Sequence, residues 1–142
     1  MTIARLLEGR TPQTITCNAG DTVDQAIALL ATHRIGALPV LEHGEVVGIF
    51  SERDVLYQLH QRGPTMLAHT VRDVMTAAPE TVTPQTEVLA ALSLMTERRV
   101  RHLPVMESGR MVGFVSIGDL VKYRIDSIAA EAEAMRVYIQ TA

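Results

Sequence analysis

Tryptophan is absent from the 142-residue chain, and aromatic residues make up only 4% of it. The core must therefore be mostly aliphatic, and the aromatic platform on which single-stranded nucleic acids stack is missing. An excess of positive charge is missing too. Thirteen basic residues face 16 acidic ones, a net charge of −3, which disfavours generic binding to a phosphate backbone. The single cysteine, Cys17, cannot close an internal disulfide, so nothing suggests a secreted scaffold. No apolar run approaches the roughly 20 residues of a membrane-spanning helix. The opening MTIARLLEGRTPQ has neither the long apolar core nor the cleavage site of a signal peptide, and a soluble cytoplasmic protein is expected. Neither G-x-G-x-x-G nor G-x-x-x-x-G-K-[ST] occurs, so Rossmann and P-loop use are unsupported. What is present is the mix of a folded protein, 47% hydrophobic and 20% charged. The length suits one compact domain or two half-sized units. Twelve of the 13 basic residues are arginine, which reads as genome composition.

The chain repeats itself. A shift of 65 residues superimposes Val23/Val88, Ala26/Ala91, Leu29/Leu94, Arg34/Arg99, Leu38/Leu103, Pro39/Pro104, Val40/Val105, Glu42/Glu107, Gly44/Gly109, Val47/Val112, Gly48/Gly113, Ser51/Ser116 and Asp54/Asp119 without a gap. Upstream, a shift of 67 aligns Pro12-Gln-Thr-Ile-Thr16 with Pro79-Glu-Thr-Val-Thr83, so the first copy carries two extra residues in its Cys17–Gly20 loop. Each copy reads β-α-β-β-α. A short strand (Thr14–Thr16, Thr81–Thr83) precedes a helix capped by Asp21 or Thr86. Apolar residues recur along that helix at helical spacing: Val23, Ile27, Leu30 and Val88, Leu92, Met95. Two strands joined at Gly44 or Gly109 follow (Ala37–Leu41 and Val46–Phe50; Val100–Met106 and Met111–Val115). A second helix starts at Glu52 or Ile117. One copy of about 60 residues buries little surface alone, so two copies packed sheet to sheet around a shared core are expected. The organisation is thus residues 1–63, a first unit with its N-terminal segment; 64–78, a linker with a helix stop at Gly63-Pro64 and a helical turn over Thr70–Thr76; 79–125, a second unit; and 126–142, a helical extension. In that last helix Val121, Ile125, Ile128, Ala132, Met135 and Ile139 form an a/d-like seam, which packs either on the body of the protein or on another chain.

The second strand of each copy runs into G-h-h-S-x-x-D: Gly48 to Asp54 and Gly113 to Asp119. Serine followed by an acid at N3 is a capping box, and that alone explains one instance. The same geometry can bind. A helix N-terminus offers free N–H groups and a positive dipole end to phosphate, and a carboxylate one turn in can accept from both hydroxyls of a ribose.

The duplicated unit, with L-P-V, G-x-h-V-G-h-h-S-x-x-D and the linker V-R-D-V-M-T, resembles the cystathionine β-synthase (CBS) domain family over roughly residues 10–125. A pair of such domains is a Bateman module, here similar to the stand-alone CBS-pair proteins. The resemblance implies an α/β (α+β) fold of tandem repeats with pseudo-twofold symmetry. It also implies adenosine ligands in clefts between the repeats: AMP first, then NAD(H), ATP or ADP, with S-adenosylmethionine also in the family. A regulatory role rather than catalysis follows, together with a homodimer and an unnamed protein target. Carried over residue by residue, Asp54 and Asp119 take the ribose diol and Ser51 and Ser116 face the sugar-phosphate. Arg53 serves phosphate where the second copy has Gly118. Gly36-Ala37 and Arg101-His102 lie at the clefts, and the contrast between them implies non-equivalent sites, the first roomier near the base. Met75, Thr76 and Thr81–Thr83 would face the ligand of Asp54. Thr14–Thr16 and the Asp21 region would face that of Asp119. Ala26 and Ala91 leave room for a nucleotide or simply allow close helix packing.

Other signals carry less. Cys17 has no histidine near it in sequence, and His33, His43, His60, His69 and His102 lack ligand spacing, so no metal site is expected. Related modules sit inside inosine monophosphate dehydrogenase, but this chain has no room for a barrel of about 250 residues. The competing reading is a dimeric interaction scaffold whose clefts hold no ligand and whose C-terminal helix carries the function.

Overall fold

The computed structural model describes residues 1–10 and 13–141. Pro12, the first residue of the aligned upstream stretch, and Ala142, the last of the extension, lie outside the described residues.

The elements run α1 (Ile3–Glu8), β1 (Cys17–Asn18), α2 (Val23–His33), β2 (Ala37–Glu42), β3 (Glu45–Ser51), α3 (Glu52–Arg62), a 3-10 segment (Gly63–Ala68), α4 (Val71–Val74), β4 (Thr76–Ala77), α5 (Val88–Arg98), β5 (His102–Glu107), β6 (Arg110–Ser116) and α6 (Ile117–Thr141). The antiparallel hairpins β2–β3 and β5–β6 have matching registers: Leu38 pairs with Phe50 and Leu103 with Val115. Both registers shift at the same place, between Val40 and Leu41 and between Val105 and Met106. The duplication read from sequence is thus a duplication in space. The first repeat has a four-stranded sheet in the order β1-β2-β3-β4, with β1 parallel to β2. The second has two strands, with an isolated parallel bridge from Val82 to Val105 where a third would lie.

Several local expectations are corrected. Thr14–Thr16 and Thr81–Thr83 are not strands. Ile15 packs against the first core, but pairing with β2 begins only at Cys17, opposite Val40. The cap of α2 is Thr22, in a reciprocal capping box with Gln25, while Asp21 accepts from the Asn18 amide in the preceding turn. The cap of α5 is Glu87, and the Thr86 hydroxyl instead accepts from the Thr83 amide at 3.0 Å.

The shared core is also corrected. Each repeat has its own. Val23, Ala26, Leu30, Leu38, Val40 and Phe50 form one with Met66, Val71 and Val74 of the linker. Val88, Ala91, Met95, Leu103, Val105, Val115 and Leu120 form the other with Ile3 and Leu6 of α1. The N-terminal segment therefore packs on the second repeat, not the first, and the linker packs on the first. The reason is the symmetry itself. Shifted by 68, Thr2-Ile-Ala-Arg-Leu-Leu7 overlays Thr70-Val-Arg-Asp-Val-Met75, with apolar side chains in the same places. Each repeat receives its covering helix from the segment preceding the other repeat: α4 covers the first and α1 the second. Glu42 of β2 anchors α4 through a bidentate pair with Arg72, 2.5 and 2.6 Å.

Candidate functional site

Each second helix begins where its strand ends, and its cap builds the site. Ser51 and Ser116 have their amides bound by Oδ2 of Asp54 and Asp119, both at 2.8 Å. The aspartate amides return to the serine hydroxyls at 3.4 and 3.1 Å. The first helical amides, of Glu52 and Ile117, donate to the carbonyls of Gly36 and Arg101. These interactions lock Oδ2 and leave Oδ1 of each carboxylate for something else.

The two repeats differ in what that is. Oδ1 of Asp54 accepts from the Thr76 hydroxyl at 3.2 Å. The guanidinium of Arg10 ion-pairs with Oδ1 of Asp119, and its Nη1 donates to the Phe114 carbonyl at 3.3 Å. The electrostatics follow. Burial pushes the Asp54 carboxyl above its ordinary value, against the hydrogen bonds from Ser51 and Thr76. Burial acts on Asp119 in the same sense, but the bonds from Arg10 and Ser116 outweigh it and hold that carboxyl below its ordinary value.

Asp119 opens on a cavity of about 440 Å³. Thr14, Gly36 and Ala37 of the first repeat face His102, Phe114 and Ser116 of the second across it, with Leu7 and Arg10 at the N-terminal side. The size falls in the range of small-molecule sites, roughly 300–1,000 Å³. The His102 ring stacks on Phe114, with centroids 5.5 Å apart at an interplanar angle of 16°. Burial lowers the affinity of His102 for protons, partly offset by Asp119 and Glu52. The strand glycines allow close approach. A Cβ at Gly48 would stand 2.6 Å from the Met75 sulfur and 2.8 Å from the Thr76 carbonyl oxygen, and one at Gly113 would stand 2.9 Å from a Leu7 methyl.

The residues read from the sequence thus fall into groups. Ser116, Asp119, His102, Thr14, Gly36 and Ala37 meet in the one cavity. This corrects the expectation that Gly36 and Ala37 enlarge the cleft of Asp54. A Cβ at Gly36 would stand 3.6 Å from Cε1 of His102. Ser51, Asp54, Thr76 and Met75 form the second cluster. Arg53 donates to the Arg99 carbonyl at 3.1 Å, a tie between the repeats. Thr16, Thr81, Thr83, Arg101 and Gly118 do not line the cavity. Asp21 does not either, because its carboxylate is engaged in the turn after β1. Leu7, Arg10, Arg34 and Phe114 line it without having been singled out. The signal for Leu7 was its match to Met75 in the 68-residue shift. Arg10 has no such signal. Cys17 is buried, and burial with nearby Asp21 pushes its thiol up to about 11, which makes it unreactive. Among the described residues no cluster of His, Cys, Asp or Glu could hold a metal ion, and no helix is long and apolar enough to cross a membrane.

A tandem α+β pair with a small-molecule cavity walled by both repeats defines a class of two-domain ligand-binding modules. The chain belongs to the CBS domain family, which matches over residues 10–61 and 71–126. It is 40% identical over 129 residues to the mitochondrial CBS domain-containing protein CBSX3 of Arabidopsis thaliana, covering 87% of this chain and 63% of that one. Among solved structures, a CBS-domain protein of Burkholderia ambifaria superimposes with a TM-score of 0.84 at 36% identity, covering 89% of this chain and 95% of the other. CBSX2, solved in complex with AMP, superimposes with a TM-score of 0.73 at 26% identity, covering 88% and 96%.

Proposed function

We propose that this CBS pair is a regulatory sensor of adenosine nucleotides, AMP first and NAD(H), ATP or ADP after it, that signals to a protein partner by conformational change. One observation carries the reading. The duplicated cap engages Oδ2 of each aspartate, and Asp119, whose Oδ1 is held only by the Arg10 guanidinium, opens on a cavity between the repeats. A carboxylate oxygen so placed accepts from a ribose diol, and the AMP complex of CBSX2 supports that choice of ligand. Because both repeats line the cavity, a guest that prefers one relative arrangement of them shifts the population toward it by its differential affinity, which a partner can read. No acid–base pair with a nucleophile accompanies the site, so we assign it no catalytic role.

A thermal-shift panel tests this. Millimolar AMP, ATP, NAD(H) or S-adenosylmethionine should raise the melting temperature of the intact chain, and indifference to all of them would refute the sensor.

A second reading has its own support. The seam on α6 is bare, with Val121 42%, Ile125 59%, Ile128 48%, Met135 60% and Ile139 66% exposed. On α3, Leu56 at 64% exposure is the repeat counterpart of Val121. Such a surface suits a homodimer, either as part of the sensor or as the whole function of a ligand-free scaffold. The same panel separates these, since only the sensor responds to nucleotide.

A further inference from the structure

Arg10 belongs to neither serine–aspartate motif, yet its guanidinium sits in one of the two sites. It pairs with the cleft-facing oxygen of Asp119 and bonds the Phe114 carbonyl, so it ties the start of α6 to β6. The two side chains are 34% and 31% exposed, partly withdrawn from water. The other repeat lacks this arrangement. There the corresponding oxygen of Asp54 accepts from the neutral Thr76 hydroxyl, and Arg53 is turned to the Arg99 carbonyl.

We propose that Arg10 is a built-in occupant of the Asp119 cleft and makes that cleft selective for ligands that carry a diol and an anionic group together, nucleotides rather than nucleosides. This rests on the nucleotide reading above. A diol arriving at Asp119 competes with a charge-assisted pair made by one guanidinium nitrogen, the other being held by the Phe114 carbonyl. If the guest is neutral, the displaced guanidinium is left without a counter-ion in a partly dry cavity. If the guest bears a phosphate, the guanidinium moves from carboxylate to phosphate, which it matches equally well. The guanidinium then keeps an anionic partner, and the Asp119 carboxylate exchanges its counter-ion for hydroxyl donors. The Asp54 cluster, where the neutral Thr76 hydroxyl stands in that place, discriminates less.

The test is titration calorimetry of AMP and adenosine into the full chain carrying D54N, so that the Asp119 cleft alone reports. Arg10→Gln in that background should weaken AMP by about tenfold to a hundredfold, the range of one hydrogen bond to a charged group. Adenosine should bind as before or more tightly. R10K, which keeps the charge without the fork, should fall between. If R10Q leaves the ratio of AMP to adenosine affinity unchanged while D119N abolishes binding, the proposal is overturned and the nucleotide reading stands. If AMP binds only after R10Q, Arg10 is a plug and not a selector, and the proposal is again overturned. If D119N leaves binding unchanged, the nucleotide reading itself fails.

Discussion

One side chain at the site ties stability to pH. His102 is stacked on Phe114 and partly withdrawn from water, and burial holds its proton affinity below the ordinary 6.5. The unfolded chain therefore takes up a proton more readily than the folded one. Stability is full above pH 6.5 and falls as the pH drops below it, until the folded ring itself protonates. Urea midpoints measured between about pH 7 and pH 5 should decline accordingly. H102Q should flatten that decline. An unchanged slope in the variant would mean that other groups cause it. The strand glycines make a sharper contrast. Gly48→Ala drives a methyl toward the backbone carbonyl of Thr76, which cannot move cheaply, whereas Gly113→Ala meets only the end of a leucine. G48A should cost about 1–3 kcal/mol in urea unfolding and G113A less, since relaxation is easier there. Both glycines were legible in the sequence through the repeat. What crowds them was not, because Leu7 and Met75 arrive from the segments that precede the other repeat's strand motif.

At the level of elements, strong periodicity read correctly and short segments did not. Val23, Ile27 and Leu30 and their counterparts Val88, Leu92 and Met95 all pack in the cores as their spacing requires. The hairpins and the starts of α3 and α6 were equally plain. The six residues of α1 are too few to show a period, so its role as the missing cover of the second repeat was invisible until its apolar positions were laid over those of α4. Ile3 is fully buried there. Ile3→Ala should destabilise by about 2–5 kcal/mol. Hydrogen exchange should show the loss in α5, β5 and β6 before β2 and β3; equal loss in both repeats would contradict separate cores. The a/d spacing on α6 was legible too, but sequence could not choose between a core and an outer surface. The structure leaves the seam exposed. The homodimer reading predicts that I128E with M135E converts a dimer to a monomer in sedimentation with the circular-dichroism spectrum unchanged. A wild-type monomer would remove it.

Across the whole molecule, the pseudo-twofold symmetry exchanges covering segments as well as repeats. It also explains why the expected single core failed: each repeat's interior is closed by the helix that precedes the other repeat, α4 on the first and α1 on the second. The repeats instead meet along the cavity, which apolar side chains such as Ile15, Ile35 and Phe114 line together with polar ones, and at the Arg53 tie. Identity of the motif made the two sites look alike from sequence, and the residues that differ at Gly36, Ala37, Arg101 and His102 pointed to inequivalence. The countercharge on Asp119 was beyond reach, because Arg10 comes from far away in the chain and only the fold brings it there. Calorimetric titration of AMP into the wild-type chain and into D54N/D119N addresses the central claim most directly. Saturable binding by the wild type, weakened about tenfold or more in the double variant with the melting transition still cooperative, is the expected result. Equal affinity in the two chains would show that the aspartates do not hold the ligand.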